Sequence, residues 1–319
     1  MKKKIVLLLV LAMVMLAFAA CGGGTTETPE EETPAADVVK TGLAVITSTA
    51  KSVDAGDENG VAQVDSTVVA LMVDDSGTIV NCAIDSAQTM IEFSKEGKII
   101  TPLDSVFSAK QELGKEYGMG EVSTIGKEWN EQATALSNYV IGKTVEEVKG
   151  IAVNEEGNPT DEDLASSVTI KIGGYIDAIE KAASNARDLG ASLNDKLGLG
   201  VVTTIAKSAD AGEEDGVAQA YTYYTATTFN AEDVITGSII DASQTDVNFS
   251  KEGKITSDIM DSYKTKNELG DAYGMKKASS IGKEWNEQAD SFAKYVAGKN
   301  LDEVKGIAVN EEGVPERKT

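Results

Sequence analysis

Histidine is absent from all 319 residues, and that absence excludes more chemistry than any residue present. Without imidazole the chain lacks the usual general base near neutral pH, the commonest metal ligand, and every Ser-His or Cys-His nucleophile pair. A hydrolase would have to run on carboxylates or lysine alone. No repeated carboxylate pair sits in an apolar setting, so an enzyme of that kind is not expected. Cysteine is scarce as well, with Cys21 and Cys82 the two present. Basic residues are few: 29 Lys and Arg stand against 52 Asp and Glu, a net charge of −23. Such a surface repels nucleic acid and anionic headgroups, which excludes DNA and RNA as partners. Past the first twenty residues, no apolar run approaches the roughly 20 residues that a membrane-spanning helix needs.

What the chain does have is a copy of itself. Residues 51–157 recur as residues 207–313 at a constant offset of 156, so that Tyr117 answers to Tyr273 and Trp129 to Trp285. Two runs are identical, I-G-K-E-W-N-E-Q-A (125–133 and 281–289) and E-V-K-G-I-A-V-N-E-E-G (147–157 and 303–313). A unit of about a hundred residues is domain-sized and far longer than a solenoid repeat. The organisation read from this is a leader over 1–20, a tether over 21–40, a first repeat with its insert over 41–195 and a second repeat over 196–319. The duplication also serves as an internal control. A residue that differs between copies is not required by both, and a segment present once marks something that one half alone does.

The first twenty residues have the form of an export signal. Lys2, Lys3 and Lys4 precede the apolar stretch 5–16 and a small-residue cleavage region at 17–20. Cys21 follows at once, and L-A-F-A-A-C resembles the lipobox of bacterial lipoproteins. That resemblance implies cleavage before Cys21 and a diacylglycerol thioether on its sulfur. Residues 22–37, rich in Gly, Pro, Thr and Glu, read as a flexible tether. The expected partner is therefore a lipid bilayer, reached through acylated Cys21, and the expected location is the outer face of the cytoplasmic membrane or the cell surface. Removing the three leader lysines leaves 26 basic and 52 acidic residues, a charge of −26. Cys82 has Ser238 as its counterpart, so that position calls for a small buried side chain and not a disulfide.

Each copy reads as strands first and helices after. Val/Thr-rich runs at 43–50, 61–73, 78–84, 90–93 and 99–100 are split by Asp/Gly/Asn turns, the pattern of an antiparallel meander. The second half reads as helices over 104–117, from a Ser123 cap to Gly142, and over 144–149, where Thr144 and Glu147 match a capping box repeated by Asn300 and Glu303. The fold class expected is α+β, two homologous domains, each a β-meander with helices packed on one face. Trp129 and Trp285 fall on an apolar helix face and read as core. The acidic loops 54–60 and 210–216 do not match a calcium-loop spacing; they read as strand-joining turns, with a weak surface ion site as the alternative.

The stretch 159–200 occurs once. Val168, Ile170 and Ile172 alternate as in a short strand, and Ile172, Tyr175, Ile176, Ile179, Ala182, Ala183 and Ala186 have the spacing of a buried helix face. An L-G-L-G link then leads to the second copy, and the two copies are expected to pack together. The run D-L-A-S-S-V-T (163–169) before an Ala-rich helix resembles the flavin-attachment motif D-x-x-(S/T)-G-A-(T/S) of the bacterial FMN-binding domain, with Ser167 and Val168 standing at its Gly and Ala positions. That resemblance implies FMN esterified to Thr169, with Asp163 and Ser166 as the motif's acid and first hydroxyl. It also implies that Gln88 and Thr89, in the repeated 85–89 segment read as a strand end, line the flavin. The protein would then carry or bind flavin, covalently or not, for extracellular electron transfer. The alternatives are a closing hairpin with no flavin, in a non-redox surface lipoprotein that binds a small solute or another envelope component.

Overall fold

Alternating and then continuous burial along one long strand shows where the core lies. The computed structural model describes residues 38–311 and 313–315; the leader, Cys21 and residues 22–37 fall outside the described residues, while Val38 to Lys40, read as the end of the tether, already belong to a strand. In β2 (Gly60–Val73) every second residue is buried at first, but Val69 to Val73 are buried without a break. A strand buried on both faces needs a layer on each side. Those layers are a second sheet on one side and helices on the other.

The first sheet has the order β3-β2-β1-β4, with β1 (Val38–Ser48), β3 (Ile79–Phe93) and β4 (Arg187–Ser192) all antiparallel to their neighbours. The second has the order β5-β6-β7, with β5 (Lys196–Thr204), β6 (Gly216–Phe229) and β7 (Ile235–Phe249), also antiparallel. The expected α+β class holds. Both repeats have one topology: three strands, a helical turn (α1, Lys110–Leu113; α6, Lys266–Leu269), a long helix (α2, Trp129–Val140; α7, Trp285–Val296) and a short one (α3, Val145–Lys149; α8, Leu301–Lys305). The insert supplies α4 (Glu162–Ala165), α5 (Gly173–Ser184) and β4.

The two sheets share one interior. Leu43, Val45, Val68 and Ala70 of the first pack against Tyr224, Ala226 and Ile239 of the second. Tyr224 is fully buried, and its hydroxyl bonds Ser66 of the other repeat at 3.1 Å and Ser243 at 2.8 Å. At one end Phe93 stacks on its counterpart Phe249, centroids 4.3 Å apart and planes 13° from parallel. The acidic loops close that end by reciprocal contacts. Asp54 accepts the Ile255 N–H and Asp210 the Ile99 N–H, each at 2.8 Å, while Lys254 pairs with Asp54 and Lys98 with Asp210. Gly97 and Gly253 sit at φ 70° and 69° in this clamp, where a Cβ would come within 2.8 Å of the other repeat. The loops read as simple turns are thus cross-repeat clamps. Equivalent residues exchange equivalent bonds, which is the signature of a twofold relation inside one chain.

Several elements differ from expectation. β3 runs unbroken from Ile79 to Phe93, so the 85–89 segment lies inside a strand and does not end one. Its Ser86 pairs with Thr67 and its Thr89 with Val64, and that ladder overrides the turn-like composition. The helix expected over 104–117 shrinks to α1 and a 3-10 turn, because Phe107 is drawn into an extended bridge with Thr203 of the second repeat. The long helix begins at Trp129 behind a Glu128–Glu131 capping box; Ser123 instead accepts the Gln132 amide at 3.2 Å. The expected strand at 168–172 is irregular, although Val168, Ile170 and Ile172 are buried. L-G-L-G is no link: Leu197 to Gly200 lie within β5. The capping boxes of α3 and α8 form as read. Cys82 is free and buried, its thiol pushed up to about 12 by burial.

Candidate functional site

The sequence-derived residues are not gathered in one place. Gln88 and Thr89 are consecutive in β3, so their side chains leave opposite faces of the sheet. Gln88 accepts the Tyr117 hydroxyl at 3.3 Å on the helical side, and Thr89 is 1% exposed. Asp163 and Ser166 are exposed on α4 and its C-cap, and the Ser166 hydroxyl is spent on the Asp163 carbonyl at 2.8 Å. Ser167 accepts Lys127 at 3.2 Å.

Thr169 is half-buried and held from three directions. Its N–H and hydroxyl both donate to the Gln132 side-chain oxygen, at 2.8 and 3.2 Å, and its carbonyl accepts Asn158. Gln132 itself is fully buried. The same oxygen takes the Ile170 N–H at 3.2 Å, so one side chain does for this segment what a neighbouring strand would have done. A second cavity of about 400 Å³, lined by Tyr139, Lys143, Thr160 and Asp161 among others, lies near this segment but does not include Thr169. The residues around Thr169 therefore do not fit an isoalloxazine ring as they stand: the hydroxyl is engaged, and the Gly that would let a phosphate approach is Ser167.

A larger cleft of about 500 Å³ opens where the repeats meet. The first repeat supplies Leu43 to Val45, α5 and its C-cap supply Lys181 and Asn185, and the start of β4 supplies Arg187. The second supplies Asp241, Asn267, Glu268, Asn286, Glu287 and Asp290. Local order explains how they are held. Lys181 donates to the Val45 carbonyl at 2.7 Å and pairs with Glu268 at 2.6 Å; Asn185 donates to the Leu43 carbonyl at 3.0 Å. Arg187 pairs with Asp290, which Lys294 also reaches at 2.6 Å. Glu287 caps α7 through the Glu284 N–H.

Two groups in the cleft lack a matching partner. Asp241 accepts the N–H groups of Ala242 and Asn267 and the Thr265 hydroxyl, feels the Lys266 charge without forming an ion pair, and is pushed by burial up to about 6. The Asn286 Oδ1 is buried with no donor at all. A buried acceptor without a donor costs roughly 1–3 kcal/mol, and the counterpart Asn130 Oδ1 is orphaned in the same way outside this cleft. With its two cations already paired, the cleft presents a net excess of acceptors. Sequence reasoning missed it because its walls come from three separate parts of the chain. The one signal was Asp85 and Asp241, repeated at the head of the segment from which Gln88 and Thr89 were chosen.

No protein-family model matches this chain, and no solved structure matches it. Over 43 residues it is 49% identical to a chlorophenol reductase of Desulfitobacterium hafniense. That stretch is 14% of this chain and 13% of the relative, so the chain matches only a small part of that protein's length.

Proposed function

We propose that this is an exported, lipid-anchored protein whose extracytoplasmic body binds a small solute rich in hydrogen-bond donors, an amine or a polyol, in the cleft between its repeats. The observation that carries the reading is Asn286, whose side-chain oxygen is buried in the cleft wall without a donor. Asp241, in the wall of the same cleft, adds an acceptor that makes no ion pair among the described residues. The leader and Cys21 support anchoring, because signal and cysteine coincide in register. Anionic ligands such as FMN suit this cleft poorly, since Lys181 and Arg187 are committed to Glu268 and Asp290.

The test is a thermal-shift panel of small amines and polyols on the full chain, followed by calorimetry on Asp241→Asn and Asn286→Ala. A ligand present at about 100 times its Kd stabilises by about 2.7 kcal/mol, which such a panel resolves. No stabilisation by either class, or stabilisation unaffected by both substitutions, overturns the reading. Anchoring is tested separately, by palmitate incorporation that Cys21→Ala abolishes.

Flavin attachment is the second reading, favoured by the exposure of Asp163 and Ser166, which would leave part of the motif within reach of an exported transferase. Attachment requires the Thr169 hydroxyl to leave Gln132. The mass of the peptide bearing Thr169, from protein made alongside a flavin transferase, decides it. An FMN-sized increase lost in Thr169→Ala supports this reading, and an unmodified mass removes it.

A further inference from the structure

The insert covers one face of the molecule, and the twofold relation shows what the other face lacks. α5 lies on β1 and β2 so closely that a Cβ on Gly42 would come within 2.0 Å of the Ala182 carbonyl. Beneath it Ala44, Leu136 and Val148 are 2%, 0% and 1% exposed. Their counterparts on β5, α7 and α8 have no helix above them among the described residues. Gly200 and Val304 are half-buried, Phe292 is 37% exposed, and Val202, at the position of Ile46, is 65% exposed beside Tyr223 at 45%.

The charges repeat the pattern. In the first repeat, Lys149 pairs with Glu180 of α5 at 2.9 Å, and Lys181 of α5 reaches across to Glu268 at 2.6 Å. The counterparts of Lys149 and Glu268 are Lys305 and Glu112. Both are exposed, and neither makes an ion pair or a side-chain hydrogen bond among the described residues. One cation and one anion thus flank a face of Val202, Tyr223, Thr225 and Thr227 at the positions where a helix like α5 would bring an adjacent Glu–Lys pair.

We propose that this face of the second sheet is a docking site for an amphipathic helix of another protein, seated as α5 is on the first sheet. The partner helix carries an Ala/Ile stripe against Val202 and Tyr223, and an adjacent acid and lysine that meet Lys305 and Glu112. Neither contact uses the cleft residues, so the inference stands apart from solute binding.

The probe is a fluorescein-labelled peptide copying residues 172–187, titrated into the full chain and followed by anisotropy. Saturable binding is expected, weakened about tenfold or more by Val202→Glu, since a charge is then buried against an apolar stripe. Lys305→Glu weakens it as well, and a peptide carrying Lys at the position of Glu180 restores it. Lys149→Glu leaves it unchanged, which separates this face from displacement of α5 itself. Val202 and Lys305 are exposed, so folding survives both changes. No binding, or binding insensitive to Val202→Glu and Lys305→Glu, overturns the proposal. Sedimentation showing that two copies of the chain cover this face with each other also overturns it.

Discussion

Asp241 and Asp85 are one residue in two settings, and the difference is informative. Both accept an N–H from the helical turn above them, Gln111 or Asn267, each at 3.0 Å, and so fasten α1 and α6 to their sheets. Both carboxyls are raised by burial, Asp241 to about 6. The sign of the pH effect follows. With an ordinary value of 3.8, the folded chain holds a proton that the unfolded chain has lost between about pH 4 and 6. Stability therefore falls as pH rises through that window and stays level above it. Asp241→Asn should lessen the decline, leaving the part due to Asp85, and raise stability at pH 7 by about 1–3 kcal/mol, measured by urea unfolding at several pH values. An unchanged pH profile contradicts the assignment. Gln132 gives a second prediction. Its loss in Gln132→Leu strands the N–H groups of Thr169 and Ile170 and should cost about 2–4 kcal/mol. None of this was legible in the sequence, where Gln132 sits inside an identical run and gives no sign that only the first copy has an insert to hold.

At the scale of elements, the repeat was legible because it is long and its punctuation is strong. Turn residues placed β1 and β2, and Thr144 with Glu147 marked α3 before any coordinates were needed. The misread elements share one cause. Local composition at 85–89, 104–117 and 168–172 points one way, and contacts from distant chain pull another: the β2 ladder, the Thr203 bridge and the Gln132 amide. The asymmetry between the sheets yields a paired prediction. Gly42→Ala drives a methyl into the backbone of α5 and should destabilise by about 2–4 kcal/mol. Gly198→Ala, whose Cβ would meet nothing nearer than a Phe229 ring carbon at 3.3 Å, should cost less than about 1 kcal/mol. Equal costs in thermal melts would mean that the second face is as closely covered as the first.

For the molecule as a whole, duplication predicted two homologous α+β units that pack together, and their two sheets meet face to face across a shared buried layer. No sequence pattern reveals that Tyr224 of one repeat will reach Ser66 of the other, or that Asp54 will answer Ile255 across 201 positions. The identical ends of the repeats conceal it, since a residue that serves a twofold interface is retained in both copies as faithfully as one that serves an independent core. Phe93 and Phe249 stack at that interface, and Phe93→Ala should cost about 3–5 kcal/mol, felt by both repeats at once.

Trp129 and Trp285, one in each repeat, make the most direct measurement simple. Two single-tryptophan chains, Trp129→Phe and Trp285→Phe, are unfolded in urea and followed by fluorescence, each with and without Phe93→Ala. A fused interior gives coincident transitions that Phe93→Ala moves together. Two separate midpoints, with Phe93→Ala shifting only the Trp129 transition, would show that the repeats fold as independent domains and that the cleft between them is not a built site.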